Sequence, residues 1–442
     1  MFPLYDRTRR AICIAAFFLF CALPTALLLA WGIARHLPWH VRSEADRLSS
    51  LLGLKVSLAG VRHLRPGVVH YEGLELSDPE TGAKVLQCAR LEAVWRQSAA
   101  AKGPSRQLLV LTALRPEAAV DQAAAIGRLV QRLLMQPSGW LDVDVRLSAA
   151  DGTLRTAEGP TTLIDLQGST ETQPAGTLAQ LSFRLPRAEK SDPVRIRVIR
   201  NRQAAPAVTG FELDTGGNAL PCPLLAAGLA GIEQLGSRSR FRGSFWANET
   251  AEGWTGEMKG HLLDIDLERL VDVRFPHKLS GLAQLNLEIA RFRQGRLQDA
   301  NGALCAGPGM VSRSLIEAAA GRMGLASGLR ANLSVSQIRY EQLSAAFSLD
   351  SRGLWLRGQC GSENSHAILV DRYTVLLGDP AFQPQPIAAV VQTLVPSGGL
   401  PVPVTPQTDW LLRHLPLPES PAAQAPDPAL PSARTSEDRV ER

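Results

Sequence analysis

Between Ala11 and Ala34 the chain runs for 24 residues without a charged side chain, "AICIAAFFLFCALPTALLLAWGIA". As a helix at ~1.5 Å per residue this run reaches roughly 36 Å, enough to cross the hydrocarbon core of a bilayer. A retained transmembrane helix is one reading. A cleaved secretory signal is the other, and Gly32-Ile33-Ala34 does put small residues at the end of the run. The run exceeds the roughly 7–15 apolar residues of a signal core, which favours a retained span. Arg7, Arg9 and Arg10 precede it, and basic flanks tend to stay in the cytoplasm. The expected layout is a cytoplasmic segment 1–10, a span 11–34 kinked at Pro24, and an exported body.

Past the span, "VRSEADRLSSLLG" places Val41, Ala45, Leu48, Leu51 and Leu52 at helical spacing, with Gly53 as a stop. The period then changes to two. "KVSLAGV", "VVHYEGLELSD" and "KVLQCARLEAVW" read as strands, with turns at Pro66-Gly67 and Asp78 to Gly82. "QLLVLTAL" is a fourth, ended by Arg115-Pro116. An amphipathic helix from about Glu117 to Met135 follows, its stripe made of Ile126, Leu129, Val130, Leu133 and Leu134. Strand patterns then resume, and a helix is expected near Leu224 to Leu235. Another is expected in "SRSLIEAAAGRMG", where Ser314 and Glu317 form a capping box and Gly324 a stop. In all, about fifteen or more strands and only a few helices are expected.

From Pro380 onward 13 of the 30 prolines crowd into the last 63 residues, so 35–379 reads as the β-rich body and 380–442 as a disordered tail. Within that tail "TDWLLRHL" forms a single apolar turn capped by Thr408 or Asp409, read as loosely attached or as a short docking motif.

The residues offer little local chemistry. GxxxxGK[ST], HExxH and GxSxG are all missing from the sequence. "GPGMVS" has two glycines of a dinucleotide loop but Ser312 in place of the third, and reads better as a hairpin turn. His261, Asp264 and Asp266 form the nearest approach to a metal set, yet acids opening "DIDLERL" are explained by capping and the helix dipole. No catalytic residue, metal or cofactor is expected. A net charge of +5, with no cluster of five or more Lys or Arg, gives no footprint for nucleic acid. Cys88, Cys222, Cys305 and Cys360 lie far apart without a CxxC pair, so disulfides and scattered buried thiols both remain open.

What is left is the destination of the apolar faces. In "LAQLNLEIARF", Leu285, Leu287 and Ile289 point one way and Asn286, Glu288 and Ala290 the other. So many strands with so few helices must close on themselves, stack as a sandwich, or curl into an open trough. Leu285, Leu287 and Ile289 are the candidate lining of such a trough. An aliphatic lining suits acyl chains and an ordinary β core alike.

The segment after the span resembles the N-terminal region of the AsmA-like family of membrane-anchored proteins. The residues that carry the likeness are Leu52-Gly53, Lys55-Val56, Pro66-Gly67, Gly73-Leu74-Glu75-Leu76, Asp78-Pro79, Thr81-Gly82 and Leu91 to Trp95, with a similar strand at Gly281 to Glu288. The resemblance implies an inner-membrane anchor, a periplasmic body of curled antiparallel-type β-sheet, and a kinship with repeating β-groove proteins that shield lipid tails. It implies a non-enzymatic role in handling lipid between membranes or assisting outer-membrane assembly, with phospholipid acyl chains as ligands. The alternative is a scaffold whose body and Pro-rich tail recruit other envelope proteins without carrying lipid.

Overall fold

The computed structural model describes residues 6–34, 37–98, 106–122, 125–128, 130, 143–156, 159–173, 176–186, 192–225, 232–250, 253–271, 275–294, 296–329, 335–361, 366–395 and 405–416. The apolar run is helical. Asp6–Phe17 and Leu23–Ala34 flank a π-helical turn, Phe18–Ala22, that sits immediately before Pro24. A π turn there accommodates a proline ring that would otherwise clash with the preceding turn. The stretch Arg10–Leu27 is unburied and is long and apolar enough to cross a membrane, as an anchor or an export signal would be. A second helix, Pro38–Leu52, begins with proline in its first turn and ends at Gly53, whose φ of 68° is the left-handed stop expected from sequence.

Among the described residues the body is one twenty-stranded sheet with a separate two-stranded ribbon. Lys55–Ser57 and Gly60–Arg65 lie end to end along one edge of Val68–Ser77. From there the strands are neighbours in the order in which the chain makes them: Lys84–Ser98, Arg106–Ala119, Val143–Thr156, Gly159–Gln173, Gly176–Arg184, Val194–Asn201, Val208–Asp214, Arg240–Thr250, Gly253–Asp266, Leu282–Arg293 and Arg296–Ala306. Gln342–Asp350 follows. Gly353–Gly358 and Ala367–Val370 share its far edge, and Val375–Pro380 with Leu325–Ser327 ends the sheet. That is about sixteen inter-strand steps, roughly 75 Å along the curl at ~4.8 Å per step. Sequential hairpins explain the order, since each strand pairs with the one just made.

One pairing departs from the antiparallel expectation. Arg106–Ala119 and Val143–Thr156 run parallel, which requires a crossover rather than a hairpin. The first of them continues through Arg115-Pro116, where sequence placed its end. Arg115 takes a φ of 49°, and the parallel register skips from Thr112 to Glu117, so Pro116 lies outside it while still facing Cys88 on the antiparallel side. Of the expected helical stripe Ile126 packs on the sheet beside Ala125; Leu129, Leu133 and Leu134 lie outside the described residues.

Helices cover the sheet at both ends. Pro38–Leu52 lays Leu48 and Leu52 on Leu54, Val56 and Leu74. At the far end lie Leu267–Val271, Arg313–Met323, Ile387–Leu394 and Pro406–His414. The second of these is capped by Ser312, whose hydroxyl accepts from the Leu315 N–H, rather than by Ser314, which is instead hydrogen-bonded to His277. Where a helix was expected near Leu224 to Leu235, two short 3₁₀ turns, Cys222–Leu225 and Ile232–Leu235, are seen, and the residues between them lie outside the described residues.

The body also runs past the boundary expected at Asp379. Leu354 and Gln385 exchange two backbone hydrogen bonds, and Val391 and Leu411 are buried. "TDWLLRHL" belongs to the helix Pro406–His414, capped by the Thr405 hydroxyl, with Leu411 and Trp410 packed against Phe275, Leu349 and Val391. Residues 417–442 lie outside the described residues.

Candidate functional site

Cross-strand register sorts the buried face of the sheet into rows, each made of residues directly opposite one another. One row is Ala93, Leu111, Leu147, Gly168, Leu181, Ile196, Leu213, Phe245, Met258, Ala290, Ala300, Leu349 and Leu354, on thirteen successive strands without a charged or hydroxyl-bearing side chain. The next runs Trp95, Leu109, Val145, Thr170, Ala179, Val198, Phe211, Ala247, Gly256, Phe292 and Leu297, with one threonine. Between these rows Phe211 and Phe245 lie 5.7 Å apart at their ring centres, and Phe245 stacks on Phe292 at the same distance.

Burial varies along the rows. From Val208–Asp214 onward the deepest members are Leu213, Phe245 and Ala247, nearly sealed, with Phe241 and Ala283 fully so, while Phe211, Met258, Phe292 and Leu297 stay half-buried. Over the strands from Arg106–Ala119 to Val194–Asn201 Leu109 is buried, and the rows are half-buried at Leu111, Val145, Leu147, Ala179, Leu181, Ile196 and Val198. The sheet therefore carries a continuous apolar track that is more deeply covered over its later strands than over its earlier ones.

The candidate lining from sequence divides. Leu287 is buried in this core and Leu285 packs against it. Leu287 lies between Gly260 and Gly302 on the adjacent strands, and Gly243 continues that line one strand further. An added Cβ at Gly260 or Gly302 would come within about 2.1 Å of a neighbouring carbonyl oxygen, a close backbone approach that only glycine allows. Ile289 does not share the face. A bulge between Leu287 and Ile289 shifts the register by one, so Ala290 and Phe292 take the inward positions. Ala290, expected outward, is accordingly buried.

At one edge of the sheet the apolar rows end in a polar one. Gln97 faces Gln107; further along, Thr172 faces Thr177, then Arg200, Thr209, Glu249 and Trp254 follow on successive strands. The Arg200 guanidinium donates to the Thr209 hydroxyl at 2.6 Å. Thr177 is buried and its hydroxyl has no hydrogen-bond partner. A cavity of about 280 Å³ opens on this edge, lined by Trp95, Arg96, Gln97 and Gln107.

The helix Pro38–Leu52 reaches the body at this same edge. The ring of His40, in the first turn of Pro38–Leu52, lies 3.1 Å from that of His63, which pairs with Val69 beside the Gly67 turn and Trp95. Leu37, Trp39, Leu64 and Trp95 are 42–63% exposed here.

Elsewhere in the body His277 is enclosed, whereas the exposed His366 ring places Nδ1 2.8 Å from the Asp379 carboxylate. His277 donates through Nε2 to the Thr393 carbonyl at 2.8 Å, with Nδ1 3.0 Å from the Ser314 hydroxyl. Burial holds its pKa below the usual imidazole value, opposed by the Thr393 bond. Among the described residues no three His, Cys, Asp or Glu are grouped to hold a metal. Asp266 caps the helix that follows it, accepting from the Glu268 and Arg269 N–H groups. Cys88, Cys222 and Cys360 are buried free thiols and Cys305 an exposed one; burial pushes Cys222 and Cys360 up to about 11.

No family model, no curated protein and no solved structure matches this chain.

Proposed function

We propose that the chain is a non-enzymatic, membrane-anchored envelope protein that shields lipid acyl chains on its apolar track, moving lipid between membranes or supporting outer-membrane assembly. The observation that carries this reading is the uninterrupted apolar row from Ala93 to Leu354, half-buried over several strands instead of being sealed throughout. A core built only for stability gains most when it is fully buried, whereas half-buried aliphatic surface is left for a ligand to cover. The helix that follows the apolar run meets the body at the polar edge, which supports an opening toward the membrane there, and exposed Trp39 and Trp95 have the amphipathic character that favours a bilayer interface. The anchor is placed in the inner membrane, with the body on the periplasmic side, on the strength of Arg7, Arg9 and Arg10 and of the AsmA-like resemblance of Leu52 to Trp95.

The test is lipid extraction from the purified full-length protein followed by mass spectrometry. Phospholipid in near-stoichiometric amount is the expected result; a folded protein free of lipid would sink the reading. The scaffold reading is favoured by the deep burial around Phe241 and Ala283, and it predicts that lipid-free outcome.

A further inference from the structure

We infer that the corner of the body carrying Trp39, Leu64 and Trp95 lies on the surface of an anionic bilayer, with Arg42, Arg65 and Arg96 facing phospholipid headgroups. The inference rests on the reading of the apolar helix as a retained anchor, and adds a second, peripheral contact made by the body itself. It starts from contacts among three segments distant in sequence. The rings of Trp39, His40 and His63 follow one another at 6.1 and 5.4 Å between centres. Leu64 is next in the chain, and in the turn after it the Gly67 carbonyl accepts the Trp95 N–H at 2.9 Å. Four large apolar side chains, Leu37, Trp39, Leu64 and Trp95, are thus brought to one corner and left exposed there. Single exposed apolar residues are ordinary, but a group of them rimmed by polar residues marks an interaction surface.

Charge and tether select the partner. The segments that meet here, 37–42, 61–69 and 93–97, contain no Asp or Glu and four arginines. Arg62 is committed to Glu72 at 3.2 Å. Arg42, Arg65 and Arg96 are exposed and make no ion pair among the described residues. The recess of about 280 Å³ beside Arg96 is completed by Trp95, Gln97 and Gln107, all uncharged. Free guanidinium groups next to carboxamide and indole donors suit phosphate oxygens. An acidic protein would match this charge too, but the tether favours lipid. The apolar helix Leu23–Ala34 ends four Cα steps before Pro38, at most ~14 Å when fully extended, so a retained anchor holds this corner against the membrane. Indole rings beside arginines are what a bilayer interface accommodates. Trp246 makes the contrast: it is as exposed as Leu37, at 42%, but stands between Glu212 and Glu257 on its neighbouring strands, and such a setting repels an anionic surface.

The test uses the full chain reconstituted into liposomes of phosphatidylcholine, alone or mixed with phosphatidylglycerol, with a photoreactive residue placed in turn at positions 20, 64 and 246. Position 20, within the apolar helix, reports whether that helix is in the bilayer, and position 246 reports background. Position 64 should give lipid adducts in the mixed liposomes about fivefold above those in phosphatidylcholine alone, and should lose that excess at high salt, as basic groups beside an anionic leaflet predict. Arg65→Glu combined with Arg96→Glu should remove the excess at position 64 and leave the adducts at position 20 unchanged. Adducts at 20 with none above background at 64 overturn the proposal and leave the anchor standing. Absence at both positions overturns both. Equal yields from position 64 in the two lipid compositions overturn the anionic surface. Adducts from position 64 to a second protein in native membranes, in place of lipid, would assign the corner to a protein partner and overturn it as well. The comparisons of lipid composition and salt are made with all three arginines in place, so a misfolded variant does not rescue the proposal.

Discussion

Leu287 shows how far a single residue's role depends on its neighbours. Alternation in "LAQLNLEIARF" correctly turns Leu285 and Leu287 inward, but a bulge is a backbone event with no residue type to announce it, and it removes Ile289 from the face. Since Leu287 is buried between two glycines, Leu287→Glu should unfold the protein or cost several kcal/mol, about the penalty for an unpaired buried charge. Ile289→Glu should cost under ~1.5 kcal/mol, as at a half-exposed site. Urea denaturation of the two variants makes the comparison, and equal losses would place Ile289 back on the core face. His277 supplies a pH dependence. Its folded pKa lies below its unfolded value, so its contribution to stability is complete above the ordinary imidazole range and is lost as pH falls through that range toward the folded pKa. His277→Gln should flatten the stability profile there, measured by thermal melts across pH.

Elements were read well where periodicity is local and poorly where a distant partner decides. The helix Pro38–Leu52 and its stop at Gly53 follow from spacing and a glycine. The strand Arg106–Ala119 outlasts its proline because of a ladder break against a strand formed after the crossover. The proline-rich composition after Pro380 concealed the helix Ile387–Leu394 and let Pro406–His414 show only as a single apolar turn, because composition averages over the apolar "IAAVVQTL" and "WLL" that bury Val391 and Leu411. Removing them would expose Phe275, Leu349 and Leu354 and break the His277 and Gln385 bonds. Truncation at Asp379 should therefore lower the melting temperature by more than ~10 °C relative to a chain ending at Pro416, given about 2–4 °C per kcal/mol for domains of moderate size. Scanning calorimetry of the two chains checks this, and equal melting temperatures would mean that the helices are not part of the folded body.

At the scale of the molecule, the mainly β architecture with one N-terminal apolar helix was legible from a 24-residue uncharged run and a period of two. The location of the accessible stretch was not, because it depends on which rows the helices leave uncovered. The proposed topology puts the body outside: protease added to the exported side of sealed membranes should digest it and leave a fragment containing Ala11 to Ala34, whereas a protected body would reverse the orientation. The most direct measurement is photo-crosslinking from the half-buried track. A photoreactive residue at Ile196 should give adducts to phospholipid in intact membranes, and one at Arg197, its neighbour on the opposite face, should give few. Intramolecular adducts alone from position 196 in a folded protein would contradict the account and leave the sheet as a scaffold with an ordinary core.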